Sequence, residues 1–210
     1  MKLQSSVKRW GESFFYFVLR THLNGYTSVL DVGCGSNSAL QFVRLPMYKV
    51  GIDLYKKSVN VSKQKHIHDD YVIGDVRTLS KFFKRKSFDA VICIDVIEHL
   101  TTSEGLQLVK QMELIARRRV IFLTPNGFYH QHALEGNPHQ VHKSGWRSAL
   151  FRKMGYRVRG LRGLRILRDD HASIKLRPWF FWGAITFISE ILFYPFPELC
   201  FDIIATKTLS

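Results

Sequence analysis

Short apolar runs alternate with amphipathic stretches along the chain. The runs are rich in β-branched residues and contain few polar positions, which is typical of parallel strands buried on both faces of a sheet. The stretches between them carry apolar residues every three or four positions, which predicts helices that cover the sheet. This alternation favours an α/β fold. The predicted strands are 27–32, 48–52, 71–75, 88–95, 120–124, 156–167 and 199–207, and the predicted helices are 7–23, 38–43, 55–62, 78–83, 100–117 and 143–154.

Each of the first four predicted strands ends at an aspartate: Asp31, Asp53, Asp75 and Asp95, spaced 22, 22 and 20 residues apart. Ligands bind at the carboxyl ends of the strands in an open parallel sheet, so these side chains are expected to share one ligand-binding edge. Taken alone, Asp53 fits equally well as the N-cap of the helix over 55–62. Because four successive strands end at an aspartate, the ligand-binding interpretation of Asp53 is favoured over the N-cap.

Gly33 and Gly35 follow the first strand and supply the backbone freedom of a tight turn. Without a Cβ there, a flat ligand can lie against the main chain. Ser36 and Asn37 bring N-cap chemistry and unpaired amides to the start of the next predicted helix. The pattern predicts that a polar or anionic group binds here. A glycine turn without a ligand remains the alternative, since a lone G-x-G is a weak signal.

The composition fits one globular domain over residues 1–210, because 46% of the residues are hydrophobic. An amphipathic helix is expected within residues 1–25, ahead of the first strand. The 31 Lys and Arg residues against 17 Asp and Glu give a net charge of +14. The partner could therefore be nucleic acid, an anionic membrane surface or a phosphorylated substrate, and the charge alone does not choose among them.

The cysteines favour a cytoplasmic protein. Cys34, Cys93 and Cys200 lie in apolar, strand-like contexts without paired or metal-ligand spacing, so reduced thiols are expected. Residues 1–10 are polar and basic and carry no apolar segment of the kind found in secretory signals.

In their order along the chain, several motifs resemble the class I S-adenosylmethionine-dependent methyltransferases, in particular those of the type 11 and type 12 domains. The matching motifs are DVGCG at 31–35, VGID at 50–53, GD at 74–75, FDAVICIDVIEHL at 88–100 and LTPN at 123–126. The resemblance covers nearly the whole chain and implies a Rossmann-like seven-stranded sheet, mostly parallel with an antiparallel last strand, and helices on both faces. An NAD-binding protein fits less well, because the turn lacks G-x-G-x-x-G.

The resemblance also implies that S-adenosylmethionine is the cofactor and how it is held. Gly33 and Gly35 would pass the methionine moiety, and Asp53 would accept hydrogen bonds from the ribose hydroxyls. Asp75 and the amide of Val76 would read the adenine edge, while Asp31 and Asp95 would flank the methionine end. The implied cofactor-binding residues are Asp31, Gly33, Gly35, Asp53, Leu54, Asp75, Val76 and Asp95.

A hydroxyl acceptor must lose its proton during methyl transfer, and the candidate catalytic residues at this edge are His99, His142 and Glu98. The array Asp95-x-x-Glu98-His99 with a downstream His142 resembles the small-RNA 3′-terminal 2′-O-methyltransferases, which hold a divalent metal. Ubiquinone-pathway O-methyltransferases have a similar acidic-His segment. Two interpretations stay open: a metal-free acid–base pair, which we favour, and a divalent ion held by Asp95, Glu98, His99 and His142.

The segment 126–146 is expected to be the acceptor-facing loop, because it is long, polar and rich in histidine. Its alternative is a solvated insertion with incidental histidines. Residues 137–146 resemble uncharacterised bacterial and archaeal methyltransferases associated with cell-surface glycan assembly.

A hydrophobic insertion over 171–198 precedes the last strand. Glu190, Pro195 and Pro197 interrupt it, and the strands on either side must pair in one sheet, so no transmembrane span is expected. Packing on the core, or a homodimer contact through 178–198, is favoured over peripheral contact with the inner face of a membrane.

The sequence thus predicts a cytoplasmic methyltransferase that O-methylates a small molecule, a lipid-linked sugar or a surface-glycan precursor. An RNA 2′-O-methyltransferase, with or without a metal, is the alternative, and the net charge leaves room for an anionic acceptor. A catalytically silent protein that only binds the cofactor is the third option.

Overall fold

The computed structural model describes residues 14–131, 138–169 and 173–209. A seven-stranded sheet runs through it in the order β3-β2-β1-β4-β5-β7-β6. The strands from β3 to β5 are parallel, whereas β7 is antiparallel to both of its neighbours, so the predicted fold class is confirmed. The strands are β1 (Ser28–Val32), β2 (Tyr48–Asp53), β3 (Asp70–Ile73), β4 (Phe88–Ile94), β5 (Ala116–Pro125), β6 (Arg157–Leu164) and β7 (Cys200–Thr208).

Five α-helices flank this sheet in the described part of the chain. A capping box between Thr101 and Glu104 fixes the start of the third, where each residue's side chain accepts a hydrogen bond from the other's backbone amide. The helices are α1 (residues 14–23), α2 (Lys56–Gln64), α3 (Thr102–Ile115), α4 (Ser148–Lys153) and α5 (Trp179–Leu192). Residues 1–13, which include the start of the predicted first helix, lie outside the described residues.

Apolar cores fill both faces of the sheet. On one face α3 packs with Trp146 and Phe151, and a Cβ at Gly105 would overlap the indole of Trp146. On the other face α1 buries Leu19 and Leu23 against β1, β4 and β5. The sheet is therefore covered on both sides, which leaves the ends of its strands as the place for a ligand.

The predicted helix over 38–43 is wrong, because only the 3₁₀ turn Ala39–Gln41 forms there. Ser38 caps this turn and also hydrogen-bonds the buried Asp31 carboxylate, while Pro46 restricts the backbone where the chain enters β2. The predicted helix over 78–83 is likewise the 3₁₀ segment Val76–Lys81. The glycine turn is thus not followed by a helix N-terminus.

Two predicted elements are shorter than expected for local reasons. The helix predicted from 143 begins only at Ser148, since the amides of Lys143 and Ser144 instead donate to the Glu98 carbonyl at 2.8 and 3.1 Å. The strand predicted to run to 167 ends at Leu164, where positive φ angles at Arg162 and Gly163 make a bulge. No helix of the described residues is long and apolar enough to cross a membrane.

Candidate functional site

The glycine turn after β1 brings two positive-φ glycines to the carboxyl edge of the sheet, with φ of +75° at Gly33 and +54° at Gly35. A Cβ at Gly33 would overlap the methyl groups of Val96, so close packing requires a glycine there. A Cβ at Gly35 would meet no protein atom within 4 Å. The main chain at Gly35 therefore borders open space in which a ligand can lie.

Asp53, at the end of β2, is tied to this turn. Its Oδ2 accepts a hydrogen bond from the Gly35 amide at 2.9 Å, and its Oδ1 accepts one from the Tyr55 amide at 2.7 Å. Burial raises the pKa of the Asp53 carboxyl, and the two amides oppose that rise. The carboxylate is thus held in a fixed orientation beside the open space, and the neighbouring Leu54 side chain is exposed.

Asp31 is buried and braces the interior at the end of β1. Its Oδ2 lies 2.9 Å from His68 Nε2 and accepts a hydrogen bond from Ser38. His68 follows α2 and contacts the edge of the Tyr71 ring. Sequence reasoning missed His68, and no spacing or motif marks it, because only the packing of α2 brings it to Asp31.

Asp75 follows β3 and is held by Arg77. Its carboxylate accepts hydrogen bonds from the Arg77 amide at 2.9 Å and from Arg77 Nη2 at 2.6 Å, and these bonds lower its pKa. Arg77 Nη1 also contacts Glu104 Oε1 at 2.9 Å. Val76 begins the 3₁₀ segment and packs against the core.

The end of β4 is linked to the far side of the sheet. Asp95 has a φ of +52°, and its Oδ2 lies 3.5 Å from Arg162 Nη2 in the β6 bulge. Arg162 Nη1 in turn lies 2.9 Å from Asp202 Oδ2 on β7. Sequence reasoning missed Arg162 and Asp202. The signal for Asp202 was a single acid among the apolar residues of a predicted buried strand.

Buried oxygens of these acids lack hydrogen-bond partners within the described residues: Asp95 Oδ1 and Asp202 Oδ1. Burial raises the pKa of Asp202 to about 6, and Asp95 adds to the rise while Arg162 opposes it. Since buried polar atoms are normally satisfied, the two oxygens mark a place suited to donors from a ligand or from water.

Glu98, His99 and His142 converge next to Asp95. Their potential ligand atoms all lie within 4.8 Å of one another, and the two imidazole centroids are 4.9 Å apart. Glu98 Oε2 accepts a hydrogen bond from Thr124 Oγ1 at 3.0 Å. Burial, with the nearby Asp95 charge, raises the Glu98 pKa well above its ordinary value. Asp95 is not in this converging group, so the structure brings together three of the four predicted metal ligands.

The two imidazoles are oriented by backbone carbonyls. His99 Nδ1 lies 3.3 Å from the Val141 carbonyl oxygen, and His142 Nδ1 lies 2.8 Å from that of Tyr129. A carbonyl only accepts, so each Nδ1 carries the proton in this arrangement and each Nε2 keeps a lone pair. Burial and the neighbouring His142 lower the His99 pKa. Both rings can thus accept a proton or bind a metal.

The segment that follows β5 runs back across the carboxyl edge of the sheet. Asn126 Nδ2 donates to the Pro197 carbonyl at 2.7 Å and to the Cys200 carbonyl at 3.2 Å, which fixes the start of the loop. His139 lies close enough to Asp53 to lower that residue's pKa in part. Residues 132–137 of the predicted acceptor loop lie outside the described residues.

Known proteins share this architecture. Residues 30–124 match the family described as "Methyltransferase domain". A SAM-dependent methyltransferase from Archaeoglobus fulgidus is similar at 16% identity and a TM-score of 0.60, with 94% of each chain covered. Magnesium protoporphyrin IX methyltransferase from Synechocystis PCC 6803, crystallised with bound SAM, is similar at 20% identity and a TM-score of 0.52, covering 99% of this chain and 79% of that one.

A third solved structure, the small RNA methyltransferase HEN1, is similar at 15% identity and a TM-score of 0.59, covering 94% of this chain and 26% of that one. No curated protein shows significant sequence similarity to the chain. Together these likenesses show that the chain has the fold of the class I S-adenosylmethionine-dependent methyltransferases and that residues 30–124 match a methyltransferase domain.

Proposed function

We propose that the protein transfers a methyl group from S-adenosylmethionine to a hydroxyl of a small molecule, a lipid-linked sugar or a surface-glycan precursor. The observation that carries the proposal is the pair of oriented imidazoles, His99 and His142, which offer ring nitrogens within 4.8 Å of a carboxylate oxygen of the buried Glu98. A hydroxyl needs such a proton acceptor, whereas a sulfonium already carries a good leaving group.

The cofactor supplies an electrophilic methyl group, and the predicted residues have separate parts in holding it. The open main chain at Gly35, together with Gly33, would border the methionine moiety. Asp53, fixed by its two amide bonds, would accept hydrogen bonds from a vicinal diol. The adenine base would be bordered by Asp75, Val76 and Leu54. Asp31 lies inside the core and would contribute indirectly, through its hydrogen bond with Ser38.

The acceptor chemistry follows from the other carboxylates. Asp95 Oδ1 and Asp202 Oδ1 are buried acceptors without donors in the described residues, and Arg162 adds a cation beside them. A ligand rich in hydroxyl groups can donate to both oxygens while it presents one hydroxyl to His99 or His142. This requirement supports a sugar-like acceptor.

An RNA 2′-O-methyltransferase is the second candidate, because Glu98, His99 and His142 offer potential ligand atoms within 4.8 Å of one another, close enough to hold a divalent metal. Carbonyl-bound Nδ1 atoms also orient ligating histidines in metal sites. The structural likeness to a small RNA methyltransferase and the net charge of +14 add support. In this case an ion would hold two ribose hydroxyls and lower the pKa of one.

A methyl-transfer screen with labelled S-adenosylmethionine tests these candidates. Glycolipid extracts, sugar nucleotides and short RNAs would be offered in parallel, with and without a chelator, to the wild-type chain and to His142→Ala. We expect label to appear on a glycolipid or a sugar. This labelling should persist in the presence of the chelator and should be lost in His142→Ala. Chelator-sensitive label on RNA would favour the second candidate. Binding of S-adenosylhomocysteine without turnover on any acceptor would favour a silent cofactor-binding protein.

A further inference from the structure

Helix α5 turns its polar residues inward and its apolar residues outward. Thr186, Ser189 and Glu190 are buried, with Glu190 0% exposed. On the opposite face Ile188 is 54% exposed and Leu192 is 63% exposed. This is the reverse of the usual arrangement for a helix on a globular domain, whose apolar stripe faces the core. The outward face therefore needs a partner of its own.

Hydrogen bonds to the β6 bulge lock this orientation. Glu190 Oε1 accepts from the Arg162 amide at 2.8 Å, and Ser189 Oγ accepts from the Leu164 amide at 3.2 Å. A Cβ at Gly163 would lie 2.5 Å from Ser189 Oγ, so the helix sits directly on the strand. A rotation of α5 that buried its apolar face would break these hydrogen bonds. The polar groups of the helix and of the bulge would then lose their partners.

The apolar face continues beyond α5. Within the described residues it includes side chains before, on and after the helix, and we call this set the α5 surface. Its exposed apolar members are Ile166, Leu176, Phe181, Ile188, Ile191, Leu192, Phe196 and Leu199. So many exposed apolar side chains on and beside one helix are typical of an interaction site.

Basic side chains border the α5 surface at the N-terminal end of the helix. Arg165, Lys175 and Arg177 are exposed there and alternate with Ile166, which is 76% exposed, and Leu176. The exposed acid at the other end, Glu198, is paired with Arg152. Apolar groups interleaved with cations complement a surface that offers acyl chains beneath anionic headgroups.

We propose that the α5 surface docks the protein on an anionic lipid membrane, with α5 lying in the interface. The 14 residues of α5 span only about 21 Å at 1.5 Å per residue, short of the ~30 Å hydrocarbon core, so the helix lies on the membrane instead of crossing it. A second copy of the chain fits less well, because the exposed acid at the other end of the surface, Glu198, is already paired with Arg152 and so gives the basic border of a second copy no free counter-charge.

Docking would place the candidate acceptor site close to the lipid. Arg162 binds α5 through its amide and reaches Asp95 and Asp202 through its guanidinium. The ligand edge and the α5 surface are therefore joined through one residue. The proposal concerns lipid binding alone and holds whichever acceptor is methylated.

Flotation of the full chain with vesicles tests the proposal. Phosphatidylcholine vesicles would be compared with vesicles containing about one third phosphatidylglycerol, at low and at raised salt. We expect binding to the anionic vesicles that weakens with salt. The double variant Ile188→Ser/Leu192→Ser should bind at least about tenfold more weakly, and Arg165→Glu/Lys175→Glu/Arg177→Glu should lose the preference for anionic lipid.

The matched control carries similar changes at the opposite end of the strands, near the start of β4, in the exposed residues Leu114, Arg85 and Lys110. Leu114→Ser/Arg85→Glu/Lys110→Glu should bind vesicles nearly as the wild type does. Thermal melting and S-adenosylhomocysteine affinity would confirm that every variant is folded. Equal binding of the wild type and the α5 variants would overturn the proposal. So would a doubled molar mass in solution that Ile188→Ser/Leu192→Ser abolishes, because a second copy would then cover the surface.

Discussion

The two halves of the ligand edge satisfy their carboxylates in different ways. On the cofactor side, at the ends of β1 to β3, Asp53 and Asp75 accept hydrogen bonds from amides of the chain itself at 2.7–2.9 Å. On the acceptor side, at the ends of β4, β5 and β7, buried oxygens of Asp95 and Asp202 lack such donors in the described part of the chain. The chain itself orients the carboxylates of the first half, whereas the buried oxygens of the second half are left for donors from a ligand or from water.

The largest effect is expected on the acceptor side, from His99→Ala and His142→Ala. If the pair acts without a metal, losing the ring that accepts the proton should lower kcat by about 10²- to 10⁴-fold. A chelator should then have no effect. His66→Asn, at an exposed histidine that follows α2, is the control. Chelator-sensitive activity, with a double variant little worse than either single one, would instead reveal one metal-binding unit.

The next effect concerns the cofactor side. Asp53→Ala should weaken S-adenosylhomocysteine binding by about 2–3 kcal/mol, because it removes a paired acceptor for the ribose diol. Calorimetry on the folded variant measures this. Asp69→Ala is a useful comparison, since Asp69 accepts only from the Lys49 amide at an exposed position and should leave the affinity unchanged. Unaltered binding in Asp53→Ala would remove the ribose assignment.

Glu190 gives a pH-dependent test of the helix that adjoins the acceptor side. Burial raises its folded pKa to about 7, so its contribution to stability is present below pH ~4.5 and is lost as pH rises through 7. Glu190→Gln removes that buried charge. Its free energy of unfolding, relative to that of the wild type, should therefore rise by about 2–3 kcal/mol between pH 5 and pH 8. Asp89→Asn is the opposite control, because hydrogen bonds from Thr27 and Arg117 lower its pKa to about 2 despite burial. Denaturant unfolding at several pH values checks both signs.

The smallest effect separates the two glycines of the turn. Both have positive φ, but only Gly33 lies against Val96. Gly33→Ala should therefore lose about 1–2 kcal/mol more stability than Gly35→Ala. Gly35→Ala should in turn weaken cofactor binding by more than its small loss of stability explains. Equal unfolding midpoints for the two variants would contradict the packing difference.

The strands and the aspartates at their ends were predictable because both depend on local sequence. Apolar runs define buried strands, and a parallel sheet brings their ends together whatever else the chain does. The helix after the glycine turn was wrongly predicted, because a tertiary hydrogen bond between Ser38 and Asp31 decides that segment. Arg162 also escaped notice, since nothing in a basic stretch reveals which arginine enters a bulge.

The orientation of α5 lay beyond the sequence for another reason. Its residues are apolar on nearly every side, so periodicity does not indicate which face turns inward. Thr186, Ser189 and Glu190 share one face at helical spacing, which was the available signal. Core packing of the insertion would bury its apolar residues, whereas the polar residues of the described helix are the buried ones. The homodimer contact stays a prediction.

The narrow attachment of α5 has a consequence for engineering. Its side chains are held by hydrogen bonds to Arg162 and Leu164, which lie close together in the bulge of an edge strand. Three strands separate β6 from β1 in the sheet. A chimera that keeps those two anchoring positions can therefore exchange the outward residues of α5 for those of another protein. The chimera would then bind a different surface, while the strands and turns proposed to hold the cofactor would keep their own sequence.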